Sequence, residues 1–292
     1  MNINSDAEQT FRKDLDPFLA GVKGIEWKWP VEIGDERPWK MFVGGIDPDD
    51  VSQGRLGNCY FLAAIANVAS GSSDLVVRDL IVEDHSELGM YAVKFFVNCK
   101  WITVVIDDRF PCEPWGTTWM PIFAGPKDHS GQEASFKELW PMVFEKAWAK
   151  LHLSYEATAG GFVDDATNYL TDGTTSVMDI QAATMDQNRD DLFKSMNPLS
   201  GQDTDMTFCS TNTRIDADPK ILQSIGLISG HANRILQPKV SQLNGLRYIQ
   251  IPPWGNSEWN GDWSDKSPLW TSDLKAEIGY EDEEDGTFWM TW

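Results

Sequence analysis

Hydrophobic patterns in the first half of the chain predict one buried helix, one longer helix and a hairpin. Residues 59–69, CYFLAAIANVA, are almost entirely apolar and predict a short buried helix. In FKELWPMVFEKAWAKLHL (136–153), large apolar residues recur at helical spacing, which predicts an amphipathic helix with Pro141 in its first turn. The run 90–111, MYAVKFFVNCKWITVVIDDRFP, predicts two strands around a turn at 98–100.

The second half of the chain is richer in strand-like runs. These are GLISGHANRILQ (226–237), LRYIQIPPW (246–254) and TFWMTW (287–292). The segment TDGTTS (171–176) places a glycine among small polar residues and is the best candidate for a hinge. The pattern predicts an α+β fold with an N-terminal extension over 1–40, a helical first lobe over 41–172 and a β-rich second lobe over 173–292.

Composition narrows the classes of function. The chain has 292 residues, of which 41% are hydrophobic, and no apolar run approaches the roughly 20 residues of a membrane span. A formal charge of -21 argues against nucleic-acid binding and permits the binding of hard cations such as calcium. The alternative is that the acidic residues only keep the protein soluble. The chain has four cysteines, Cys59, Cys99, Cys112 and Cys209, and no two of them form a CxxC motif. This argues against a zinc site or a disulfide framework and predicts a cytoplasmic protein.

Cys59 is the candidate nucleophile because it begins the predicted helix, directly after the loop QGRLGN (53–58). A helix N-terminus carries unpaired N–H groups and about half a positive charge, which favour thiolate over thiol. The loop glycines let the backbone approach a substrate carbonyl. The N–H of Cys59 and the side-chain amide of Gln53 are donors for a developing oxyanion. Buried packing is the alternative reading of a cysteine here.

His231 is the candidate proton acceptor for this thiol. It follows a glycine inside a strand-like run, where a lone histidine must pair or point into a cleft. A satisfied core histidine is the alternative. The other histidines lie at a predicted helix end (His152) or among polar loop residues (His85 and His129).

Three motifs together resemble the calpain family of calcium-dependent cysteine endopeptidases. QGRLGNCYFLAA (53–64) resembles the nucleophile motif, which implies Gln53 in the oxyanion role and Cys59 as nucleophile. GLISGHA (226–232) resembles the general-base motif, which implies His231 as base. WGNSEWNGDWSD (254–265) resembles the loop that carries the third catalytic residue, and Trp254 matches the tryptophan that shields the triad.

The resemblance covers roughly residues 40–292, and FEKAWAKLHLSYEATAGG, VVIDDRFP and EDGTFWM match further family blocks in order. It implies a papain-like two-lobed protease core with the active site in the cleft between lobes. It implies protein substrates bound as extended peptides, and leaves open a regulatory subunit or an inhibitor as a further partner.

The resemblance also implies one calcium ion in each lobe. In the first lobe the matching positions are the backbone carbonyls of Val43 and Gly45 and the carboxylates of Asp50 and Glu138. In the second lobe they are Glu258, Asp265, the carbonyl of Glu283, Asp285 and the position of Thr287. Mixed carboxylate and carbonyl oxygens are what calcium prefers. For the acidic run 281–285, a solvated tail is the alternative.

Four positions depart from the family pattern. Pro252 replaces the triad asparagine, which accepts a hydrogen bond from the imidazole and orients it. Its loss lowers the rate by about tenfold to ten-thousandfold, depending on context. Asn58 stands where the family has aspartate, Tyr60 replaces a tryptophan, and Thr287 replaces a carboxylate, which weakens the second calcium site.

Three functional hypotheses follow. The first is an active, calcium-dependent cysteine endopeptidase. The second, favoured by Pro252, is a catalytically impaired calpain-like protein that acts as a calcium-responsive binding or regulatory module. The third uses the acidity and the 14 tryptophans for glycan binding or hydrolysis by a carboxylate pair.

Overall fold

The computed structural model describes residues 24–69, 75–126, 135–177, 186–196, 208–210, 219–227, 230–251, 259–280 and 287–292. The chain divides into two compact units, unit 1 over 1–175 and unit 2 over 176–292. The boundary falls within the segment 171–176 that the sequence suggests as a hinge. Both units contain helices and small sheets, which confirms the predicted α+β class.

Unit 1 contains the helices α1 (Cys59–Ala69), α2 (Leu75–Leu80), α3 (Trp140–Leu151) and α4 (Val163–Thr171). Its strands are β1 (Glu26–Lys28), β2 (Trp39–Lys40), β3 (Val51–Ser52), β4 (Ile81–His85), β5 (Met90–Val97), β6 (Lys100–Asp107), β7 (Phe110–Trp115), β8 (Thr118–Pro121), β9 (Gly125–Pro126) and β10 (Lys137–Glu138). They form the sheets β1-β7-β8 and β4-β5-β6 and the pairs β2-β10 and β3-β9. The helices of the first lobe are thus accompanied by short strands.

The predicted hairpin is confirmed as β5 and β6, which pair antiparallel from Met90↔Asp107 to Val97↔Lys100. The turn residues Asn98 and Cys99 have φ values of 50° and 61°. Two consecutive positive φ values match the right-handed twist of the strands and allow a two-residue turn.

Helices α1 and α3 form the centre of unit 1. Residues 60–69 of α1 are all buried, as the sequence predicts, and Phe61 stacks on Trp148 of α3 with ring centroids 4.6 Å apart. The helix predicted within 136–153 is confirmed as α3, with Pro141 in its first turn. The expected solvent-facing side is wrong, because residues 140–149 are all buried, including Glu145 and Lys146. These two charged groups are buried because each has hydrogen-bond partners in the core, at Asn58 and Asp107 respectively.

Residues 24–40, assigned from sequence to an N-terminal extension, contribute strands to unit 1. Strand β1 pairs antiparallel with β7, and β2 pairs parallel with β10.

Among the helices of the described residues, none has the length and apolar composition needed to cross a membrane.

Unit 2 contains α5 (Asp186–Ser195), α6 (Pro219–Ser224) and α7 (Ser272–Ile278), with β11 (Phe208–Ser210), β12 (Ala232–Arg234), β13 (Gln237–Val240), β14 (Arg247–Ile251) and β15 (Phe288–Thr291). Its sheets are β11-β12 and β13-β14-β15. Alternation along β14 sends Ile249 and Ile251 to a cluster with Phe193 of α5. Tyr248 goes to the opposite cluster, with Leu274 of α7.

Candidate active site

The N-terminus of α1 presents Cys59. Its side chain is half-buried, whereas every later residue of the helix is buried. The carbonyl of Asn58 accepts hydrogen bonds from the N–H groups of Phe61 at 2.9 Å and Leu62 at 3.2 Å, which starts the helix at the cysteine. The N–H groups of Cys59 and Tyr60 precede these two bonds and have no acceptor inside the helix, so the helix end beside the thiol keeps its partial positive charge.

Gln53 lies at the start of the loop that precedes the helix. Its Nε2 donates to the carbonyl of Leu56 at 2.7 Å, and within the described residues the second N–H of this amide makes no hydrogen bond. Gly54 permits a very close approach, because a Cβ there would lie 2.1 Å from the carbonyl oxygen of Phe123. The N–H of Arg55 donates to the carbonyl of Ile122 at 2.8 Å, so the loop is supported along 122–123.

Two glycines hold the other side of the loop. The N–H of Gly160 donates to the carbonyl of Gly57 at 2.8 Å. A Cβ at Gly161 would lie 2.5 Å from the ring of Tyr60, so only glycine lets this segment pack on the ring. The Tyr60 hydroxyl accepts from Trp148 Nε1 at 3.1 Å. Tyr60 thereby keeps a packed aromatic position beside Cys59.

Glu145 is a site residue that the sequence reasoning missed. Its Oε1 accepts from Asn58 Nδ2 at 2.8 Å, and its Oε2 accepts from the N–H of Ala124 at 2.9 Å. Burial raises the pKa of this carboxyl to about 7, although both hydrogen bonds oppose the shift. In the sequence, the pattern that indicates such a residue is a glutamate inside the otherwise largely apolar stretch WPMVFEKAWA (140–149).

The other described cysteines differ from Cys59. Cys112 is buried, and burial raises the pKa of its thiol to about 12, which leaves it unreactive at neutral pH. Cys99 is exposed at the turn between β5 and β6. Neither residue lies at a helix N-terminus.

His231 lies in unit 2, immediately before β12 and after Gly230, whose φ is 67°. The imidazole is buried, and burial lowers its pKa from the ordinary value. The neutral form that can accept a proton is therefore favoured.

His152 ends α3 with its Nδ1 3.0 Å from the carbonyl of Trp148, and His85 faces Glu83 at 3.0 Å. His129 lies outside the described residues.

Pro252, which replaces the triad asparagine of the family, and Trp254, which matches the shielding tryptophan, lie outside the described residues. Asn233, two residues beyond His231 on β12, is buried. Its Oδ1 has no hydrogen-bond partner within the described part of the chain.

Asp50 and Glu138, predicted as calcium ligands, meet in the interior of unit 1. Both are buried, and their side chains lie within hydrogen-bond range of each other. Glu138 Oε1 accepts from the N–H of Val43 at 2.8 Å, and Asp50 Oδ2 lies 3.3 Å from Trp140 Nε1. Burial first, and the charge of Asp50 second, raise the pKa of Glu138. Two buried carboxylates with this mutual repulsion require a shared proton or a cation.

The two carboxylates at this place are oxygen donors of the type that calcium takes. The loop 43–45 that supplies the predicted carbonyls is tied to Glu138 through Val43, and it contains Gly44 and Gly45 with φ values of 71° and 157°. Carboxylates and backbone carbonyls in one place are calcium ligands. Across the described residues, no group of three or more His, Cys, Asp or Glu side chains is arranged to hold a metal.

Of the predicted second calcium site, Asp265 and Thr287 are described. The carbonyl of Asp265 accepts from the Tyr280 hydroxyl at 3.0 Å. The remaining predicted ligands lie outside the described residues: Glu258, Glu283 and Asp285.

A thiol at a helix N-terminus and a neutral imidazole are the groups that thiol chemistry on amides uses, the first to attack a carbonyl and the second to accept and return a proton. Cysteine protease is the class that these features define. The chain belongs to the calpain family of cysteine proteases, since the model of that family matches residues 11–292.

Three relatives illustrate the similarity. The chain is 37% identical over 277 residues to the calpain-type cysteine protease DEK1 of Arabidopsis thaliana, 36% over 284 residues to calpain-A of Drosophila melanogaster and 29% over 289 residues to the calpain-2 catalytic subunit of Mus musculus. The matches cover 91%, 91% and 96% of this chain. They cover 12%, 31% and 38% of those proteins, so the chain spans well under half of each relative's length.

Proposed function

We propose that this chain is a calcium-dependent cysteine endopeptidase that performs limited proteolysis on extended segments of protein substrates. The supporting observation is Cys59 at the start of a buried helix, behind a loop in which the Gln53 amide keeps an N–H available. A packing cysteine would need neither the supported loop nor a half-buried position.

In the proposed first step, the Cys59 thiolate attacks the scissile carbonyl carbon. A C–S bond forms and the carbonyl electrons move to oxygen. The N–H of Cys59 and the side-chain N–H of Gln53 stabilise this oxyanion. His231, protonated by the thiol, gives its proton to the amide nitrogen as the C–N bond breaks, which releases an amine and leaves a thioester.

In the proposed second step, water attacks the thioester carbon while His231 accepts the proton of the water. The C–S bond breaks, the carboxylic acid leaves and the Cys59 thiolate is restored. The lowered pKa of His231 suits both steps, because the imidazole must be neutral to accept each proton.

Calcium dependence rests on Asp50, Glu138 and the carbonyls of Val43 and Gly45. When bound there, a calcium ion would neutralise the two buried carboxylates. Asp265, with Glu258, Glu283 and Asp285, is proposed for a second ion in unit 2. Thr287 supplies no carboxylate to it, so we expect this second site to be the weaker one.

Cleavage of unfolded casein with and without millimolar calcium tests the proposal, with Cys59→Ala as the control. We expect cleavage that requires calcium and is absent from Cys59→Ala. Cleavage that survives in the variant, or no cleavage under either condition, would contradict the proposal.

Pro252 favours a second candidate, a calcium-responsive binding or regulatory module without useful catalysis. The two candidates differ in the response to Pro252→Asn. Cleavage gained only in that variant identifies a triad disabled at one position, and no cleavage by either protein supports the binding module.

Other properties are part of the same proposal. The absence of cysteine pairing motifs supports a cytoplasmic location. Protein substrates are the proposed partners, and a regulatory subunit or an inhibitor is a further class of partner to be tested by co-purification.

A further inference from the structure

The buried carboxyl group of Glu145 connects the loop 53–58, which precedes Cys59, to the backbone segment 122–124, which lies against that loop. Segment 122–124 supports the loop from below, through the carbonyls of Ile122 and Phe123 beside Arg55 and Gly54. The same segment is fixed by its own Ala124 N–H, which donates to Glu145. The other oxygen of Glu145 holds Asn58.

We propose that Glu145 is a positioning residue for the protease site, because it fixes the Gln53 loop and the Cys59 helix relative to each other. The inference rests on the proposed function and assigns Glu145 no contact with substrate. The carboxyl acts through Asn58 on one side and through 122–124 on the other.

Fold stability alone gives a poor account of Glu145. The side chain is 2% exposed and lies in the middle of α3, where Lys146 is the other buried charged residue and the remaining buried residues are apolar. An apolar residue of similar volume would avoid the cost of burying an acid, and such replacements are often neutral or stabilising. A bidentate acceptor at this place is needed to hold two separate donors at a fixed spacing.

Loss of the carboxyl group leaves Asn58 Nδ2 and the Ala124 N–H without their buried acceptor. Both segments can then relax, and the Gln53 amide moves relative to Cys59. Misplacement of a catalytic group by about 1 Å costs about a hundredfold in rate. The effect falls on kcat, since the oxyanion is stabilised in the transition state and not in the bound substrate.

Three variants of the full chain separate positioning from packing. Glu145→Ala removes both hydrogen bonds. Glu145→Gln can keep a hydrogen bond to each segment. Its carbonyl can accept from Ala124, and its N–H can donate to Asn58 Oδ1, which has no partner within the described residues, once the Asn58 amide turns over. Val143→Ala is the matched control, since Val143 is fully buried on the same helix and makes no hydrogen bond to the loop within the described residues.

The readouts are kcat and KM on a fluorogenic peptide, the thermal midpoint, and the rate of Cys59 alkylation by iodoacetamide, resolved by peptide mass spectrometry. We expect Glu145→Ala to lower kcat by at least about tenfold with KM nearly unchanged, and to slow alkylation of Cys59 by a similar factor. Glu145→Gln should stay within about threefold of the wild type, because its hydrogen bonds are retained. Val143→Ala should lose stability only.

Wild-type kcat and alkylation in Glu145→Ala would overturn the inference. Equal losses of kcat in Glu145→Ala and Val143→Ala, at temperatures where both are folded, would also overturn it. A wild-type protein that cleaves no peptide refutes the proposed function instead, and the alkylation rates then still decide whether Glu145 positions Cys59.

Discussion

Replacing Glu138 with glutamine should stabilise the protein in the absence of calcium and greatly reduce its stabilisation by calcium. The change keeps the oxygen that accepts from the Val43 N–H and removes the carboxyl group that must keep a proton, or pair with a cation, when it is buried beside Asp50. The two effects have opposite signs, so a general loss of packing could not produce both.

The magnitude follows from the Glu138 carboxyl, which is fully buried and whose pKa is raised above neutrality from 4.5 by burial and by Asp50. The folded state keeps a proton that the unfolded state releases, so stability falls as pH rises above 4.5. At about 1.4 kcal/mol per pH unit, the cost at pH 7 is about 3 kcal/mol. Glutamine removes this cost, which corresponds to roughly 5–10 °C in the thermal midpoint.

Calcium should stabilise the wild type by about 2.7 kcal/mol at one hundred times its dissociation constant. Glu138→Gln should gain much less, because one anionic ligand is lost. Thermal unfolding with EGTA or with calcium, at pH 5 and pH 7, measures both effects. Glu36→Gln is the matched control, since Glu36 is exposed in the same unit.

Two results would refute this reasoning. A Glu138→Gln protein that unfolds at or below the wild-type temperature in EGTA at pH 7 would show that the carboxylate pair carries no cost. A calcium-induced shift of equal size in both proteins would show that calcium does not bind at Asp50 and Glu138.

Three further predictions test the loop, the buried acid and the departure from the family motif. Gly54→Ala should destabilise the protein by about 1–3 kcal/mol and lower kcat, because its Cβ would lie 2.1 Å from the Phe123 carbonyl oxygen. Gly125→Ala is the control, since a Cβ there meets no atom within 4 Å, and it should change neither quantity. Denaturant titration measures the stability, and peptide cleavage measures kcat. Burial raises the pKa of Glu145 from 4.5 to about 7, so wild-type stability should fall across that pH range by about 3 kcal/mol relative to Glu145→Gln, and parallel urea-unfolding curves would disprove it. Pro252→Asn should raise kcat at least about tenfold, and an unchanged rate would show that the asparagine is dispensable here.

Local periodicity was enough to predict several elements. Helix α1 begins at Cys59 as expected, and the hairpin of β5 and β6 turns where polar residues interrupt two β-branched runs. Such elements depend on contacts between residues that are close in the chain. The spacing of apolar residues over three or four positions is therefore enough to indicate them. The strands β14 and β15 of unit 2 follow the same rule.

The environment of α3 was not predictable in the same way. A pattern with charged residues between apolar ones predicts one solvent-facing side. The charged side of α3 instead faces Asn58 and Asp107, which come from distant parts of the chain. Sequence periodicity reports that a side chain is polar, and it does not report which partner would make burial tolerable.

The sequence by itself determined the residue types of the site, because a glycine loop before a cysteine and a glycine before a histidine are local patterns. Only the tertiary structure decided that Asp50 meets Glu138 and that one carboxyl group at Glu145 supports both sides of the loop around Cys59. The physical reason is that burial and hydrogen-bond partners depend on contacts between residues far apart in the chain. Those contacts set the pKa of a carboxyl group and the position of the Gln53 amide, and they exist only after folding.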